Sequence, residues 1–229
     1  SERLTLIDFE TDSINRMSQD ASGMHSLAYY VIGTQLLYDS LTAQGMRFDG
    51  GIAAFKRDPS GILVTGASGL LGRALMSRLN ERGYSAVGTY NRVPVTGQVQ
   101  LDITDRQAVY CLVGGVRPGV IIHTSAWSSP ERCEDRPVQA YRVNVEGTRN
   151  VALAARDFGA KMVFLSSNYV FDGSKGAYAE DDMPSPVNVY GRTKLVGEDI
   201  VRGLLEDALI VRSAMLLGLH ARFVAALVD

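Results

Sequence analysis

Tyr190 and Lys194, four positions apart, are the side chains in this sequence best suited to moving a proton. Asn188 precedes them as a suitable N-cap, so the spacing predicts that both lie in the first turns of a helix, on one face. A free tyrosine titrates near pH 10, and a neighbouring ammonium group favours the phenolate and lowers that pKa. Such a tyrosine can protonate a carbonyl oxygen during a reduction, or deprotonate an alcohol in the reverse direction.

Two serines precede this pair in the sequence and can act together with it. Ser166 and Ser167 follow the apolar run 162–165, and ligands of open α/β sheets bind at the carboxyl ends of strands. A hydroxyl group there can hydrogen-bond a substrate oxygen beside Tyr190. The alternative is that Tyr190 and Lys194 form a surface pair and that the serines only cap the strand.

A glycine-rich turn lies between the apolar run 62–64 and a helical pattern near 70–83. Gly66 permits the tight turn, Gly69 lets the backbone approach a pyrophosphate, and Gly72 allows close packing of the helix on the sheet. The helix N-terminus offers free N–H groups to the phosphates. A merely structural turn is the alternative. The predicted cradle comprises Gly66, Ser68, Gly69, Leu70, Leu71 and Gly72.

The residues after the second apolar run decide which dinucleotide the cradle prefers. A carboxylate there would bind the ribose hydroxyl groups of NAD, but the sequence reads Tyr90-Asn91-Arg92 without an acid. Arg92, together with Arg73, can face a 2′-phosphate. These residues favour NADP(H) over NAD(H), unless both arginines are solvated surface charges.

The elements that must position these groups form an α/β pattern from residue 61 onward. Short β-branched runs at 62–64, 85–87, 120–122, 162–165 and 208–211 alternate with helical patterns near 70–83, 105–116, 135–159 and 189–206. This alternation predicts a Rossmann-type, doubly wound parallel sheet over residues 61–229. Residues 1–60 stand apart as an extension of unknown role, with one amphipathic helix expected near 25–43.

Composition excludes several classes of protein. The net charge is only −2 without a polybasic stretch, so we expect neither nucleic acid nor membrane as a partner. No apolar run approaches the roughly 20 residues of a membrane span. Cys111 and Cys133 form no spaced motif and the three histidines are scattered, so we expect no metal site and no disulfide, in a reducing cytoplasm.

With these motifs in hand, residues 61–218 resemble the extended short-chain dehydrogenase/reductases. Within them the chain is similar to the dTDP-4-dehydrorhamnose reductases and to the regulatory β subunits of methionine adenosyltransferase. The segments that carry the resemblance are GASGLLG at 66–72, LDITD at 101–105, VNVEGTRN at 143–150, LSSNYVFDG at 165–173 and NVYGRTKLVGE at 188–198.

The resemblance implies a catalytic set of Ser167, Tyr190 and Lys194, with Lys194 also bonding the nicotinamide ribose. It implies that Tyr169 lies near the sugar. It further implies that the cofactor contacts Asn91, Arg92, Asp102, Ile103, Thr124, Ser125 and Ala126 in addition to the cradle.

The chain departs from the family pattern in three places. Asn168 stands where the family has aspartate, and Ala214-Met215 replaces a serine and a tryptophan that packs on the sugar. Asp229 comes before most of the family's C-terminal substrate-binding lobe, which we therefore expect to be short or missing.

These observations leave three hypotheses of function. The first is an NADP(H)-dependent reductase of a 4-keto nucleotide-sugar. The second is a non-catalytic, NADP-binding regulatory subunit, and the third is an epimerase or dehydratase of a nucleotide-sugar, which starts from the same residues. A homodimer or a partner enzyme subunit is compatible with each of them.

Overall fold

Seven parallel strands form one sheet in the part of the chain that the computed structural model describes, which is residues 4–7, 61–214 and 216. The sheet has the order β1-β7-β6-β5-β2-β3-β4. The strands are β1 Leu4–Ile7, β2 Ile62–Thr65, β3 Ala86–Tyr90, β4 Val99–Gln100, β5 Val120–His123, β6 Lys161–Ser167 and β7 Leu209–Ser213.

The described helices lie in the crossovers from β2 to β3 and from β4 through β7, which join parallel strands. They are α1 Leu70–Glu81, α2 Arg106–Val116, α3 Pro130–Asp135, α4 Pro137–Tyr141, a π-helix Arg142–Gly147, α5 Thr148–Phe158, a 3-10 turn Asn168–Val170 and α6 Val189–Leu204. None of the described helices is long and apolar enough to cross a membrane.

Strand order reverses at β2. The chain runs from β2 to β3 and β4 on one side and then returns to β5 on the other. Such a reversal opens a crevice at the carboxyl ends of the two central strands, where open α/β sheets bind their ligands. The predicted Rossmann-type sheet is confirmed.

Two apolar layers hold the helices on the two faces of the sheet. Alternate strand residues such as Leu63 and Ile121 pack against α2, α5 and α6. Their neighbours Val64 and Ile122 pack against α1 on the opposite face. This alternation explains why the central strands are continuous hydrophobic runs in the sequence.

Several elements differ from the sequence prediction. The single helix expected near 135–159 is divided into α4, the π-helix and α5, and the sequence did not indicate α3 or the short strand β4. The strand Leu4–Ile7, which pairs with β7, was also not predicted. The helix expected near 25–43 lies outside the described residues.

Candidate functional site

A cleft of about 980 Å³ opens at the carboxyl ends of the central strands. Every site residue named from the sequence lines this cleft, except Lys194, which lies buried behind Tyr190 in α6. The glycine turn thus lies in the same cleft as the tyrosine and the serines, although more than 90 residues separate it from them in the sequence.

The glycine turn has the conformation that its sequence predicts. Gly66 adopts φ +74°, and its N–H group donates to Oγ1 of Thr89 at 3.3 Å. A Cβ atom at Gly72 would overlap the carbonyl oxygen of Gly66, so α1 can pack this closely only with glycine there. Gly69 is the N-cap of α1, and no side chain caps this helix start. The amide groups of its first turn are thus available to an anion in the cleft.

A second wall of the cleft is fixed by local hydrogen bonds. Oδ1 of Asp102 accepts from the N–H and hydroxyl groups of Thr104, at 2.9 and 2.8 Å. Nδ2 of Asn150 donates to the carbonyl oxygen of Ile103 at 3.0 Å. The buried side chain of Ile103 packs against Gly147 and fills the space that a side chain at that position would need. These contacts fix the backbone of residues 102–104 where it lines the cleft.

The end of β3 presents positive charge to the cleft. Asn91 and Arg92 follow the strand directly and line the cleft, and Arg73 of α1 lines it as well. Both guanidinium groups belong to exposed residues. They therefore remain hydrated and accessible to a phosphate group.

Tyr190 lies in the first turn of α6 and lines the cleft. Asn188 caps this helix as predicted, because its Oδ1 accepts from the Gly191 N–H group at 2.7 Å. A Cβ atom at Gly191 would overlap the carbonyl oxygen of Tyr169, so this glycine allows α6 to approach the 3-10 turn. The rings of Tyr169 and Tyr190 meet edge to face, with centroids 5.7 Å apart.

The structure distinguishes the two serines that the sequence left as alternatives. The hydroxyl group of Ser166 donates to a carboxylate oxygen of Glu198 in the interior. Ser167 lines the cleft, and its Oγ accepts from the Tyr169 N–H group at 3.2 Å. Although both serines line the cleft, the position of Ser167 beside Tyr190 makes it the better partner for a substrate oxygen.

The pKa of Tyr190 moves in the opposite direction to the one expected from its spacing to Lys194. Tyr190 is 8% exposed, and burial raises the pKa of its phenol to about 12, while the Ser167 hydroxyl group opposes that rise. Burial likewise lowers the pKa of Lys194 to about 7, against the charge of Glu198. The spacing of the two residues implies attraction between an ammonium group and a phenolate, but burial removes the hydration of both charges and has the larger effect.

A buried histidine supports the floor of the site. Nδ1 of His123 lies 2.6 Å from Oγ1 of Thr65, and its Nε2 lies 3.1 Å from Oγ1 of Thr148. Burial, reinforced by the charge of Lys194, lowers the pKa of His123 to about 3, so the ring is neutral in the folded protein. These bonds join β2, β5 and α5 beneath the cleft.

This histidine makes stability depend on pH. The unfolded chain binds a proton at His123 near pH 6.5, whereas the folded chain does so only near pH 3. The free energy of unfolding should therefore fall by about 1.4 kcal/mol per pH unit between about pH 6 and pH 4.5. Urea unfolding measures this slope, and His123→Gln should remove most of it. An equal slope in wild type and variant would contradict the assignment.

Sequence reasoning missed the role of Asn144 in the π-helix. Its Oδ1 accepts from the Trp127 N–H group at 2.8 Å, and its Nδ2 donates to the Trp127 carbonyl oxygen at 3.1 Å. The same Nδ2 donates to Oγ1 of Thr193, which donates to the Tyr190 carbonyl oxygen. Asn144 thus joins the cleft wall to α6. The polar Asn within the apolar pattern of segment 143–150 was the available signal.

The described residues hold no group of three His, Cys, Asp or Glu side chains placed to bind a metal ion. In the cleft, the hydroxyl groups of Ser167 and Tyr190 can hydrogen-bond a ligand and exchange a proton with it.

Comparisons with known proteins match the same part of the chain. The model of a family described as the RmlD substrate binding domain matches residues 60–229. Methionine adenosyltransferase 2 subunit beta of Rattus norvegicus is 39% identical over 157 residues, which are 69% of this chain and 47% of that protein. The dTDP-4-dehydrorhamnose reductase of Streptomyces griseus is 44% identical over 158 residues, 68% of this chain and 50% of that protein.

A solved structure is similar to the same part of the chain as these two relatives. The dTDP-4-dehydrorhamnose reductase of Bacillus anthracis, crystallised in complex with NADP, is 35% identical with a TM-score of 0.61, and the match covers 68% of this chain and 53% of that one. The chain spans about half the length of the curated relatives it matches. The motifs, the fold and the family model agree, and the chain belongs to the RmlD substrate binding domain family, within the extended short-chain dehydrogenase/reductases.

Proposed function

We propose that the cleft binds NADP(H) and that the protein reduces the 4-keto group of a nucleotide-sugar. The observation that carries this proposal is the placement of Ser167 and Tyr190, with Lys194 buried behind them, in the cleft that also contains the glycine turn. The relative from Streptomyces griseus named dTDP-4-dehydrorhamnose reductase supports this substrate class.

The residues present fit a dinucleotide. A cleft of about 980 Å³ is at the upper end of the range for small-molecule sites. Among the described residues, no side chain caps the α1 amide groups, and the Gly66 carbonyl oxygen is the one atom near the place where a Gly69 side chain would project. A diphosphate can therefore approach the backbone at this point.

Each side chain at the reactive end has a role in a reduction. The bound coenzyme would supply the hydride. Tyr190 then donates its proton to the ketone oxygen, and its raised pKa keeps that proton in place at neutral pH. The hydroxyl group of Ser167 orients the oxygen, and Lys194, when charged, stabilises the phenolate that the transfer leaves behind.

We propose that Arg92, supported by Arg73, gives the cleft its preference for the 2′-phosphate of NADP(H). Arg92→Ala should weaken NADPH binding about tenfold or more and leave NADH binding within twofold, since only NADPH carries the additional phosphate. Calorimetric titration with both coenzymes measures this difference, and Arg82→Ala, on the surface beyond α1, is the charge-matched control. Equal weakening of both coenzymes would remove the argument for the phosphate.

The second candidate is a non-catalytic, NADP-binding regulatory subunit. It is favoured by the 39% identity to a protein named as a subunit of methionine adenosyltransferase. The third candidate is an epimerase or dehydratase of a nucleotide-sugar, which would use the same catalytic residues, Ser167, Tyr190 and Lys194. We also predict that the chain forms a homodimer or binds a partner enzyme subunit. Its cysteine usage predicts a cytoplasmic location.

Incubation with NADPH and a panel of 4-keto nucleotide-sugars separates these candidates. Consumption of NADPH with formation of a reduced sugar supports the reductase. Tight binding of NADPH without turnover, with co-purification of an adenosyltransferase catalytic subunit, supports the regulator. The third candidate is tested with oxidised coenzyme and nucleotide-sugars that carry a free 4-hydroxyl group. Release of an isomer or a dehydrated sugar without net change in the coenzyme supports the epimerase or dehydratase.

A further inference from the structure

A buried ionic cluster lies on the interior side of the reactive residues. Glu198 is completely buried and Arg212 is 2% exposed. Nε of Arg212 donates to Glu198 Oε1 at 2.9 Å and its Nη2 donates to Oε2 at 2.7 Å. The Ser166 hydroxyl group donates to Oε1 as well, and Nη2 of Arg202 donates to Oε2 at 2.9 Å.

Stability alone is a weak explanation for this cluster. The loss of hydration of two buried charges offsets most of their attraction, and apolar side chains of similar volume often stabilise a protein equally well. Nη1 of Arg212, moreover, is buried without a hydrogen-bond partner among the described residues. The position of the cluster is therefore more informative than its energy.

The cluster joins the three elements that define the reactive end of the cleft. Tyr190, Lys194 and Glu198 are spaced four apart, so they share one face of α6. Ser166 and Arg212 are Cα partners across β6 and β7. The next pair along the two strands is Ser167 and Ser213, which line the cleft. Glu198 therefore holds the ends of both strands against the helix that carries Tyr190.

The segment after β6 is held through the same cluster. The guanidinium group of Arg212 lies over the ring of Phe171 at 5.0 Å, and Phe171 stacks on Tyr178 with centroids 4.2 Å apart. Between β6 and Phe171 lies the 3-10 turn that contains Tyr169. A shift of Arg212 would thus reach the tyrosine ring that packs against Tyr190.

We propose that Glu198 is a positioning residue, which clamps the ends of β6 and β7 to α6 and so sets where the hydroxyl groups of Ser167 and Tyr190 meet a substrate oxygen. This inference rests on the proposed reductase function for its effect on turnover. It assigns no contact between Glu198 and the substrate.

The carboxylate of Glu198 has a second effect, on the charge of Lys194. Burial is set against a charged Lys194, whose charge in turn lowers the pKa of the neighbouring His123 of β5. The ring of Phe164 in β6 lies 4.1 Å from Nζ of Lys194. On its own helix Lys194 has Tyr190 one turn before it and Glu198 one turn after it, and the Glu198 charge raises the pKa of Lys194. Loss of that charge leaves the guanidinium group of Arg212 uncompensated and favours the neutral amine.

The test compares Glu198→Gln with Asp199→Asn in the 229-residue chain. Asp199 is the matched control, because it is the next residue of α6, is exposed and also pairs with Arg202. The chain has four lysines, so 13C labels on their ε carbons give a resolved titration of Lys194 that does not require turnover. Lys194→Arg assigns its signal.

In Glu198→Gln we expect the Lys194 midpoint to move to lower pH by about one unit. We also expect at least a tenfold loss of kcat with the KM for NADPH within threefold, because the cradle is untouched. Asp199→Asn should match the wild type in both. A Glu198→Gln variant with the midpoint and kcat of Asp199→Asn would overturn the proposal.

Ser166→Ala keeps the ion pair and tests the clamp if Glu198→Gln does not fold. It should lower kcat several-fold and leave the Lys194 midpoint in place, and an unchanged kcat would overturn the clamp. If the wild type reduces no sugar in the panel, the proposed reductase function fails by itself. A crystal structure of Glu198→Gln then decides the inference: displacement of the Ser167 hydroxyl group relative to that of Tyr190 supports the clamp, and an unchanged placement of both overturns it.

Discussion

Tyr190→Phe is expected to lower NADPH-dependent reduction of a 4-keto nucleotide-sugar by about a thousandfold. General acid catalysis by a positioned side chain typically contributes a factor of 10² to 10⁴, and Tyr190 is the buried phenol at the reactive end of the cleft. Phenylalanine retains the ring that packs against Tyr169. The fold and the cradle should therefore be preserved.

Coenzyme binding makes this result specific for catalysis. Trp127 is the single tryptophan of the chain and lines the cleft beside Tyr190, so quenching of its fluorescence reports NADPH binding. Tyr190→Phe should bind NADPH within about threefold of the wild type. Tyr110→Phe, which removes a surface hydroxyl group that donates to Asp157, is the matched control and should keep full turnover. Turnover by Tyr190→Phe at the wild-type rate would show that another group donates the proton.

Gly69→Ala is expected to weaken binding of NADPH and NADH at least about a hundredfold, or about 2.7 kcal/mol. The backbone at Gly69 has φ −75°, which an alanine adopts without strain. The new Cβ atom would lie 3.2 Å from the Gly66 carbonyl oxygen and otherwise project into the cleft. The loss would therefore come from contact with the diphosphate and not from misfolding.

Thermal unfolding separates these two causes. Gly69→Ala should keep its melting temperature within a few degrees of the wild type, because only one neighbouring atom must shift slightly. Gly115→Ala in α2, where no atom of the described residues lies within 4 Å of the added Cβ atom, is the control for a glycine substitution away from the cleft. If Gly69→Ala binds both coenzymes as tightly as the wild type, the diphosphate does not rest on this turn.

Most of the fold could be predicted because local patterns and tertiary structure agree there. The central strands are buried on both faces, so they appear in the sequence as apolar runs, and the glycine turn has the conformation that its spacing implies. Asn188 was identifiable as a cap because capping depends on residues three positions apart. These signals are local, and the tertiary structure preserves them.

The remaining features depend on contacts between segments that are distant in sequence. The π-helix at 142–147 places Asn144 against Trp127, and no periodicity of 3.6 residues indicates that insertion. The pKa of Tyr190 is raised because the phenol is buried, and the spacing of residues alone does not report burial. Glu198 could have been recognised as the third member of the Tyr190–Lys194 face, but its pairing with Arg212 could not.

A nicotinamide dinucleotide bound in the cleft is the central claim about this protein. Calorimetric titration of the 229-residue chain with NADPH and then with NADH is the measurement that tests it. We predict one site per chain with micromolar or tighter affinity for NADPH and weaker affinity for NADH. If neither coenzyme binds, by heat or by quenching of Trp127, the central claim is contradicted.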